Sequence, residues 1–293
     1  MTLETKRLIL RPFEERDAAD AFEYLSDPKV HCFACMKVNS LEEARRAVLE
    51  RAKEQDYYFA ITLKDTGKVI GEIDAMPESG EPHQDENAVL DTFSPCWMLN
   101  PNYFGKGYAY EAAYAFFDYL FTLKGARRIY AYTEDYNVAS QKLCTRLGMR
   151  QEGLFREFIS FVNDENGNPI YENTYQYAIL KREWEQAKTQ KKIAHLKELL
   201  NPQYTLVDFY TEVLEEIGAL DYRYYDKMTT SPIDVKAELN RLPQADFSMC
   251  GTLLTMLLRE DHFSEGIFGK RFREGDVTPI VERMIHLLQQ GEI

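Results

Sequence analysis

Between Leu99 and Phe121 the chain reads LNPNYFGKGYAYEAAYAFFDYLF. This stretch limits the fold more than any other. A strand ending at Leu99 cannot carry its ladder through Pro101, which has no N–H to donate. Gly105 and Gly107 permit a tight turn and leave the backbone open to a ligand. Ala109, Ala113, Phe116, Phe117 and Leu120 then recur at helical spacing. A glycine turn therefore feeds a helix N-terminus. Its unpaired N–H groups, with a partial positive charge of about half a unit, suit a phosphate or pyrophosphate.

Two common phosphate loops do not fit. There is no Gly-Lys-Ser/Thr, and no G-x-G-x-x-G followed by an acidic residue about 20 positions on. Residues 1–186 carry 22 basic and 31 acidic side chains and residues 187–293 carry 13 and 17, which gives the net −13 of the whole chain. Neither part is basic, so nucleic acid is not the expected partner, and an acidic surface favours a cationic, amine-bearing one. No apolar run reaches membrane-spanning length, and Met1 to Arg11 alternate like a strand rather than a signal peptide. A soluble, cytoplasmic protein without membrane partners is expected. The five cysteines suit a reducing compartment. Cys32 and Cys35, beside His31, have metal-like spacing, but no second ligand pair follows and no metal is expected.

The chain in order reads as follows. Thr5 to Pro12 is an edge strand and Glu14 to Ser26 an amphipathic helix. His31 to Val38 is a loop. Ser40 and Glu43 form a capping box for a second helix. Tyr57 to Leu63 and Val69 to Ala75 form a hairpin. Pro77 to Asn87 is a loop with Glu78, Glu81, Asp85 and Glu86. Val89 to Leu99 is one strand with Pro95 at a bulge or edge. After the glycine loop and its helix come a strand at Arg127 to Thr133 and a helix at Asn137 to Leu147 ended by Gly148. Two strands follow, Gly153 to Val162 and Ile170 to Leu180.

Phe104-Gly105-Lys106-Gly107-Tyr108-Ala109 resembles the acetyl-CoA loop of the GNAT acetyltransferases, R/Q-x-x-G-x-G/A, with Phe104 departing from it. Further matches, in order, are Glu4 to Pro12, Ser40-Leu41-Glu42-Glu43-Ala44, Asn137-Val138-Ala139-Ser140, Leu147-Gly148-Met149 and Glu152-Gly153. They are closest to the branch of the ribosomal-protein N-terminal acetyltransferases. The resemblance covers residues 1–186. It implies an α+β fold: a mixed, mostly antiparallel twisted sheet flanked by helices.

The resemblance also implies an N-acetyltransferase moving an acetyl group from acetyl-CoA to a primary amine by direct attack. The acceptor would be a peptide or protein N-terminus or a small-molecule amine. Acetyl-CoA would lie in a splayed cleft, with its pantetheine arm on the backbone at Met98 and Leu99. The pyrophosphate would lie on Phe104, Gly105, Lys106, Gly107, Tyr108 and Ala109, where Phe104 still donates its N–H. Asn137 would contact the arm. The oxyanion of the tetrahedral intermediate would be held by N–H near Leu99. Cys144 or Ser140 would protonate the leaving thiolate, though Cys144 reads equally as a small buried hydrophobe. Asp91 and Glu72 are the candidate bases, each otherwise a solvated strand carboxylate. The position where relatives carry an acid is Ser94. Glu111 supports the helix N-terminus. Tyr57, Tyr58, Trp97, Tyr103 and Tyr110 either wall an acceptor pocket or pack in the core.

Residues 187–293 read as a separate small all-α domain. A linking helix spans Gln186 to Leu200, another Leu206 to Ile217, a buried one Phe247 to Arg259, and the last starts at Asp276. The run Arg259 to Gly266 resembles the signature of an uncharacterised bacterial helical domain, and His262 there reads as part of a solvated helix end. This part would shape acceptor access or mediate self-association as a homodimer. The rival reading is a non-catalytic CoA-binding or adaptor protein acting through its helical domain.

Overall fold

The structure is a computed structural model that describes residues 1–80, 87–204 and 206–292. Glu81, Asp85 and Glu86 of the acidic loop lie outside the described residues. The chain divides into two compact units, Met1–Trp184 and Glu185–Ile293. Among the described residues no helix is long and apolar enough to cross a membrane.

In the first unit β1 (Leu3–Glu4) and β2 (Leu8–Arg11) form a tight pair, so β1 takes the edge expected of β2. A helical turn at Glu15–Asp17 leads into α1 (Ala18–Leu25), and another helical turn covers His31–Met36. Ser40 caps α2 (Leu41–Arg51) by accepting the Glu43 N–H. The hairpin β3 (Tyr58–Leu63) and β4 (Val69–Asp74) follows.

The expected single strand from Val89 to Leu99 is broken in two. Short β5 (Pro77–Glu78) pairs with β6 (Thr92–Phe93), and β7 (Cys96–Leu99) stands apart from both. After the glycine loop come α3 (Tyr108–Thr122), β8 (Arg128–Glu134), α4 (Val138–Arg146), β9 (Arg150–Asn163) and β10 (Pro169–Leu180). One sheet has the order β1-β2-β3-β4-β7 and the other β5-β6-β8-β10-β9. Pro95 explains the break: without an N–H it cannot continue the parallel ladder that pairs Thr92 with Arg128 and Phe93 with Ile129. Past Phe93 the chain therefore leaves β8 and follows β4, and the two sheets splay.

The α3 side of the sheets is covered by α3, with Ala112, Ala113, Phe116, Phe117 and Leu120 fully buried against Phe59, Ile73 and Ile129. A second apolar layer joins α1 and α2 to Ala60, Val69 and Met98.

A helix α5 (Lys181–Leu199), within which the first unit ends and the second begins, starts straight after β10, five residues earlier than its sequence pattern suggests. It is followed by α6 (Val207–Glu216), α7 (Val235–Leu239), α8 (Phe247–Glu260), α9 (Ile267–Glu274) and α10 (Thr278–Gln290). These share one core centred on Leu253, Leu254, Leu257, Val281 and Met284. The Arg259 to Gly266 run is a clamp between helices. Glu260 takes both Nε and Nη2 of Arg271 at 2.9 Å, and Asp261 accepts the Phe268 N–H.

Candidate active site

The splay opens a cavity of about 570 Å³ in the first unit, lined from β7, the glycine loop, the start of α3, the end of β8, α4 and the 27–36 segment. This is the size of an ordinary small-molecule site. β7 pairs only with β4 among the described residues. The Asn100 N–H to Ile70 C=O bond sets the alternation. Met98 pairs with Glu72 in that ladder, so its N–H and C=O point at β4, while those of Trp97 and Leu99 point into the cleft. Met98 and Leu99 both line the cavity, but only Leu99 offers it backbone groups, and Trp97 joins it.

The loop behaves as its glycines require. Gly105 and Gly107 have φ of +74° and +82°. In that region a side chain is strained. Residues Pro101–Tyr103 form a helical turn, and Phe104 donates its N–H to the Pro101 C=O at 3.2 Å. The expectation that Phe104 gives its amide to a phosphate is therefore corrected: the turn holds it. The N–H groups of Gly105, Lys106, Gly107, Tyr108, Ala109 and Tyr110 have no partner among the described residues. Gly105, Gly107, Tyr108 and Ala109 line the cavity; the Lys106 side chain does not, its ammonium reaching the Asn102 C=O instead.

Glu111 fastens this loop. It accepts from Thr5 Oγ1 at 2.6 Å, from the Arg7 N–H at 2.7 Å and from Arg7 Nε at 2.7 Å. Arg7 also donates to the Lys106 C=O and lies over the Tyr108 ring. Partial burial would raise the Glu111 carboxyl, but the bonds from Thr5 and Arg7 outweigh it and hold it low. Glu111 is a brace, and Arg7 is its unanticipated partner.

Ser140 and Asn137 line the cavity from the first turn of α4. The Asn137 side-chain oxygen caps that helix through the Ser140 N–H at 3.2 Å, which leaves its amide nitrogen facing Glu134 at 3.5 Å. The indole N–H of Trp97 donates to Ser140 Oγ at 3.1 Å. An indole only donates, so the serine keeps its own proton to give. Cys144 is different. It is wholly buried, does not line the cavity, and burial pushes its thiol up to about 12. A thiol that weak does not match a thiolate near 8.5, and Cys144 belongs to the core.

Neither candidate base lines the cavity. Asp91 is paired with Arg127 at 2.8 Å. Glu72 is 2% exposed and accepts from Arg51 at 3.0 Å, Tyr58 at 2.8 Å and Tyr24 at 3.0 Å. A carboxylate so fully bonded in an ion pair is a structural anchor. Two carboxylates do line the cavity: Asp27, exposed and paired with Lys29, and Glu134, 5% exposed at the end of β8. Sequence reasoning missed Glu134; the available signal was an acid at a strand end just ahead of the Asn137 cap. Lys142 and Arg146, one helical turn apart, also line the cavity, with Arg146 over the Tyr110 ring. Of the expected aromatic wall, Trp97, Tyr103 and Tyr110 line it, joined by Tyr24, Phe33, Tyr108, Tyr132 and Phe161. Tyr57 packs on Phe93, and Tyr58 belongs to the Glu72 anchor. Ser94 lines the cavity. Among the described residues no group of His, Cys, Asp and Glu is arranged to hold a metal.

Asp74, two residues beyond Glu72, is raised to about 7 by burial first and then by the Glu72 charge, against the opposing pull of Arg51 and Tyr58. Its folded value lies above its unfolded one. Its contribution to stability is therefore full at acid pH and is lost as pH rises through 7. The gap from an ordinary carboxylate near 4 is worth at most about 4 kcal/mol. Asp74→Asn is expected to raise the melting temperature at pH 8 and leave it nearly unchanged at pH 4. Scanning calorimetry at both pH values checks this, and an equal shift at both would contradict it.

Comparison with known proteins agrees with this architecture. Residues 7–150 match the family described as acetyltransferase (GNAT) domain, and residues 176–290 match a family of unknown function. The chain is 34% identical over 184 residues to an uncharacterised N-acetyltransferase, YnaD, of Bacillus subtilis, covering 63% of this chain and 99% of that one. It is 24% identical over 174 residues to the [ribosomal protein uS5]-alanine N-acetyltransferase of Escherichia coli, covering 54% of this chain and 82% of that one. A crystal structure of a GNAT-family acetyltransferase from Bacillus anthracis superimposes with a TM-score of 0.53 at 31% identity, over 62% of this chain and 99% of that one. With a splayed pair of sheets, a glycine loop on a helix N-terminus and 99% of each of the two Bacillus relatives covered, the chain belongs to the GNAT family of N-acetyltransferases.

Proposed function

We propose that this protein moves an acetyl group from acetyl-CoA to a primary amine, above all a polypeptide N-terminus, by direct attack in the cleft between β7 and β8. The transferase domain is taken as residues 1–186, with residues 187–293 as a separate helical domain. One observation carries the reading: the unpaired edge of β7 runs into the unpartnered amides of Gly105 to Tyr110. An extended arm of amides ending in a diphosphate matches those two features in that order. Acetyl-CoA would supply an activated acetyl thioester.

The chain's own residues then divide the work. Trp97 and Leu99 hold the arm through backbone groups, with the Asn137 amide nitrogen beside them. Gly105, Lys106, Gly107, Tyr108 and Ala109 hold the diphosphate through N–H groups, and Lys142 and Arg146 add positive charge. Charge-assisted bonds of this kind contribute roughly 1.5–3 kcal/mol each. Ser140, oriented by Trp97, protonates the departing thiolate. Glu134 takes the proton that the incoming ammonium must lose. An α-amine, with a pKa of about 8, is roughly a tenth neutral at pH 7 and needs far less help than a lysine near 10.4. That arithmetic, and the name of the Escherichia coli relative, favour a polypeptide N-terminus.

Titration calorimetry with acetyl-CoA, followed by thiol release across a panel of N-terminal peptides, lysine peptides and polyamines, tests the reading. One-to-one binding and turnover with the N-terminal peptides are expected; no binding, or no amine accepted, would reject it. Ser140→Ala is expected to lower kcat by about ten- to a hundredfold with acetyl-CoA affinity nearly unchanged. An unchanged kcat removes the serine from the chemistry.

A further inference from the structure

On one face of the second sheet three aromatic rings stand together in solvent. Tyr132 on β8 is 44% exposed, and Phe155 and Phe158 on β9 are 38% and 49% exposed. The Tyr132 ring lies 6.1 Å from that of Phe155 and 5.8 Å from that of Phe158, and the two phenylalanine rings are 5.0 Å apart. Tyr130, two residues back on the same face, adds its ring 5.6 Å from that of Tyr132. Gln176 Nε2 donates to the Tyr132 hydroxyl at 3.1 Å, and the Tyr130 hydroxyl donates to Glu78 at 2.8 Å, so both phenols are held in place. A single exposed apolar side chain needs no explanation, whereas a contiguous group marks a surface that something covers.

A bulge in β9 assembles this group. Phe155 pairs with Thr174 and Ile159 with Glu172, so residues 156–158 stand opposite Asn173 alone. Three positions apart, Phe155 and Phe158 would face opposite sides of an unbroken strand. The bulge turns both toward Tyr132. Glu157 within it has a φ of +48° and is the only residue besides glycines in the left-handed region among the described residues. That is a strained setting for a glutamate. Asn173 secures it. Its side-chain oxygen accepts the Glu157 N–H at 3.0 Å, its amide nitrogen donates to the Asp135 carboxylate at 2.8 Å, and its C=O accepts the Asp135 N–H at 3.0 Å. The bulge is thereby fastened to the residue that follows Glu134.

We propose that Tyr132, Phe155 and Phe158 form a shelf that selects the acceptor by holding a bulky apolar side chain at the second or third residue of its polypeptide N-terminus. This rests on the transferase reading and narrows its acceptor. The shelf is continuous with the cavity: Tyr132 belongs to both, and Phe161 carries β9 into the lining. The β7 edge, the glycine loop and α4 are assigned to the cofactor, which leaves the end lined by Tyr132, Glu134 and Phe161 to the acceptor. Tyr132 and Glu134, two residues apart on one strand, share a face about 7 Å apart. An extended peptide whose amine meets Glu134 covers that distance in two residues, which brings its second or third side chain over the rings. Phe155 and Phe158 carry no polar atom to pair with a hydrogen-bonding side chain, so what the shelf rewards is the burial of apolar surface.

The test measures thiol release by the full chain with acetyl-CoA and N-terminal peptides that share their first residue and carry Phe, Leu, Ala, Glu or Arg at the second and third. Wild type is expected to favour Phe and Leu over Ala by about tenfold or more in kcat/KM. The difference should lie in KM, because the rings set affinity and do not touch the reacting amine. Phe155→Ala and Phe158→Ala should each bring that ratio toward one by raising KM for the Phe and Leu peptides, and Phe158→Leu should keep most of it. Phe158→Glu should turn the preference toward Arg. No preference in the wild type, a wild-type preference for Arg over Phe, or alanine variants that keep the wild-type ratio overturns the proposal. So does a dimer in sedimentation that the alanine variants convert to monomer with the ratio unmoved, which gives the rings to a second copy of the chain. The wild-type ratio needs no variant and decides even where an alanine variant fails to fold. Peptides turned over without discrimination remove the shelf and leave the transferase reading standing. Wild type that turns over no amine removes both.

Discussion

Gly107→Val is expected to weaken acetyl-CoA binding by about a hundredfold or more, read by titration calorimetry, while the protein stays folded. Gly107 has a φ of +82° and caps α3. Forcing a side chain into that region costs about 1–2 kcal/mol, and a β-branched one is the least tolerant. An added Cβ would also sit 3.4 Å from Arg7 Nη2, in the brace that Arg7 and Glu111 form around the loop. The turn would relax by rotating the amides of residues 105–109, the groups assigned to the diphosphate. Losing two charge-assisted bonds of about 1.5 kcal/mol each gives roughly that hundredfold. Gly105→Val, where nothing lies within 4 Å of an added Cβ, tests whether conformation alone suffices. A variant at Gly107 that binds as tightly as wild type would detach the loop from the cofactor.

Glu238→Ala is expected to destabilise the helical unit by about 3–5 kcal/mol, as befits an uncompensated buried polar cluster. Glu238 is completely buried in α7. Its Oε1 accepts from the Thr229 N–H at 2.6 Å, Thr229 Oγ1 at 2.8 Å, the Thr230 N–H at 2.9 Å and Thr230 Oγ1 at 3.1 Å. Its Oε2 accepts from Arg241 Nη1 at 2.6 Å. Burial alone would raise the carboxyl; the bonds from Thr229, Arg241 and Thr230 outweigh it and bring it down to about 2. The folded value lies below the unfolded one. This stabilisation is therefore complete above an ordinary glutamate's range and is lost as pH falls toward 2. The alanine leaves the Thr229 and Thr230 donors and the Arg241 guanidinium facing a void. Urea unfolding with hydrogen exchange over residues 207–290 measures the effect, and exchange unchanged there would count against it. Glu238→Gln, which keeps the shape and loses the charge, is expected to fall between.

Much of the fold was legible in the sequence because its signals are local. The Ser40 cap, the Gly148 helix end and the helical face from Ala109 to Leu120 each depend on residues within a turn or two. The break in the Val89 to Leu99 run was half legible. Pro95 marks a defect, but only the pairing of Phe93 with β8 and of Cys96 with β4 turns it into a splayed cleft. The glycine loop itself was readable, whereas the Phe104 amide was not, because the turn at Pro101 engages it.

By itself the sequence determined the elements, the anion-ready turn and the family, since backbone hydrogen bonding and apolar periodicity are written in short stretches. Only the tertiary structure decided which carboxylates face the chemistry. Glu72 and Asp91 are held by Arg51 and Arg127, 21 and 36 residues away, and Glu172 meets His31 across 141. Whether a charge is paired, buried or open to a cavity depends on sheet register and on which distant segment packs over it, and no local spacing encodes that.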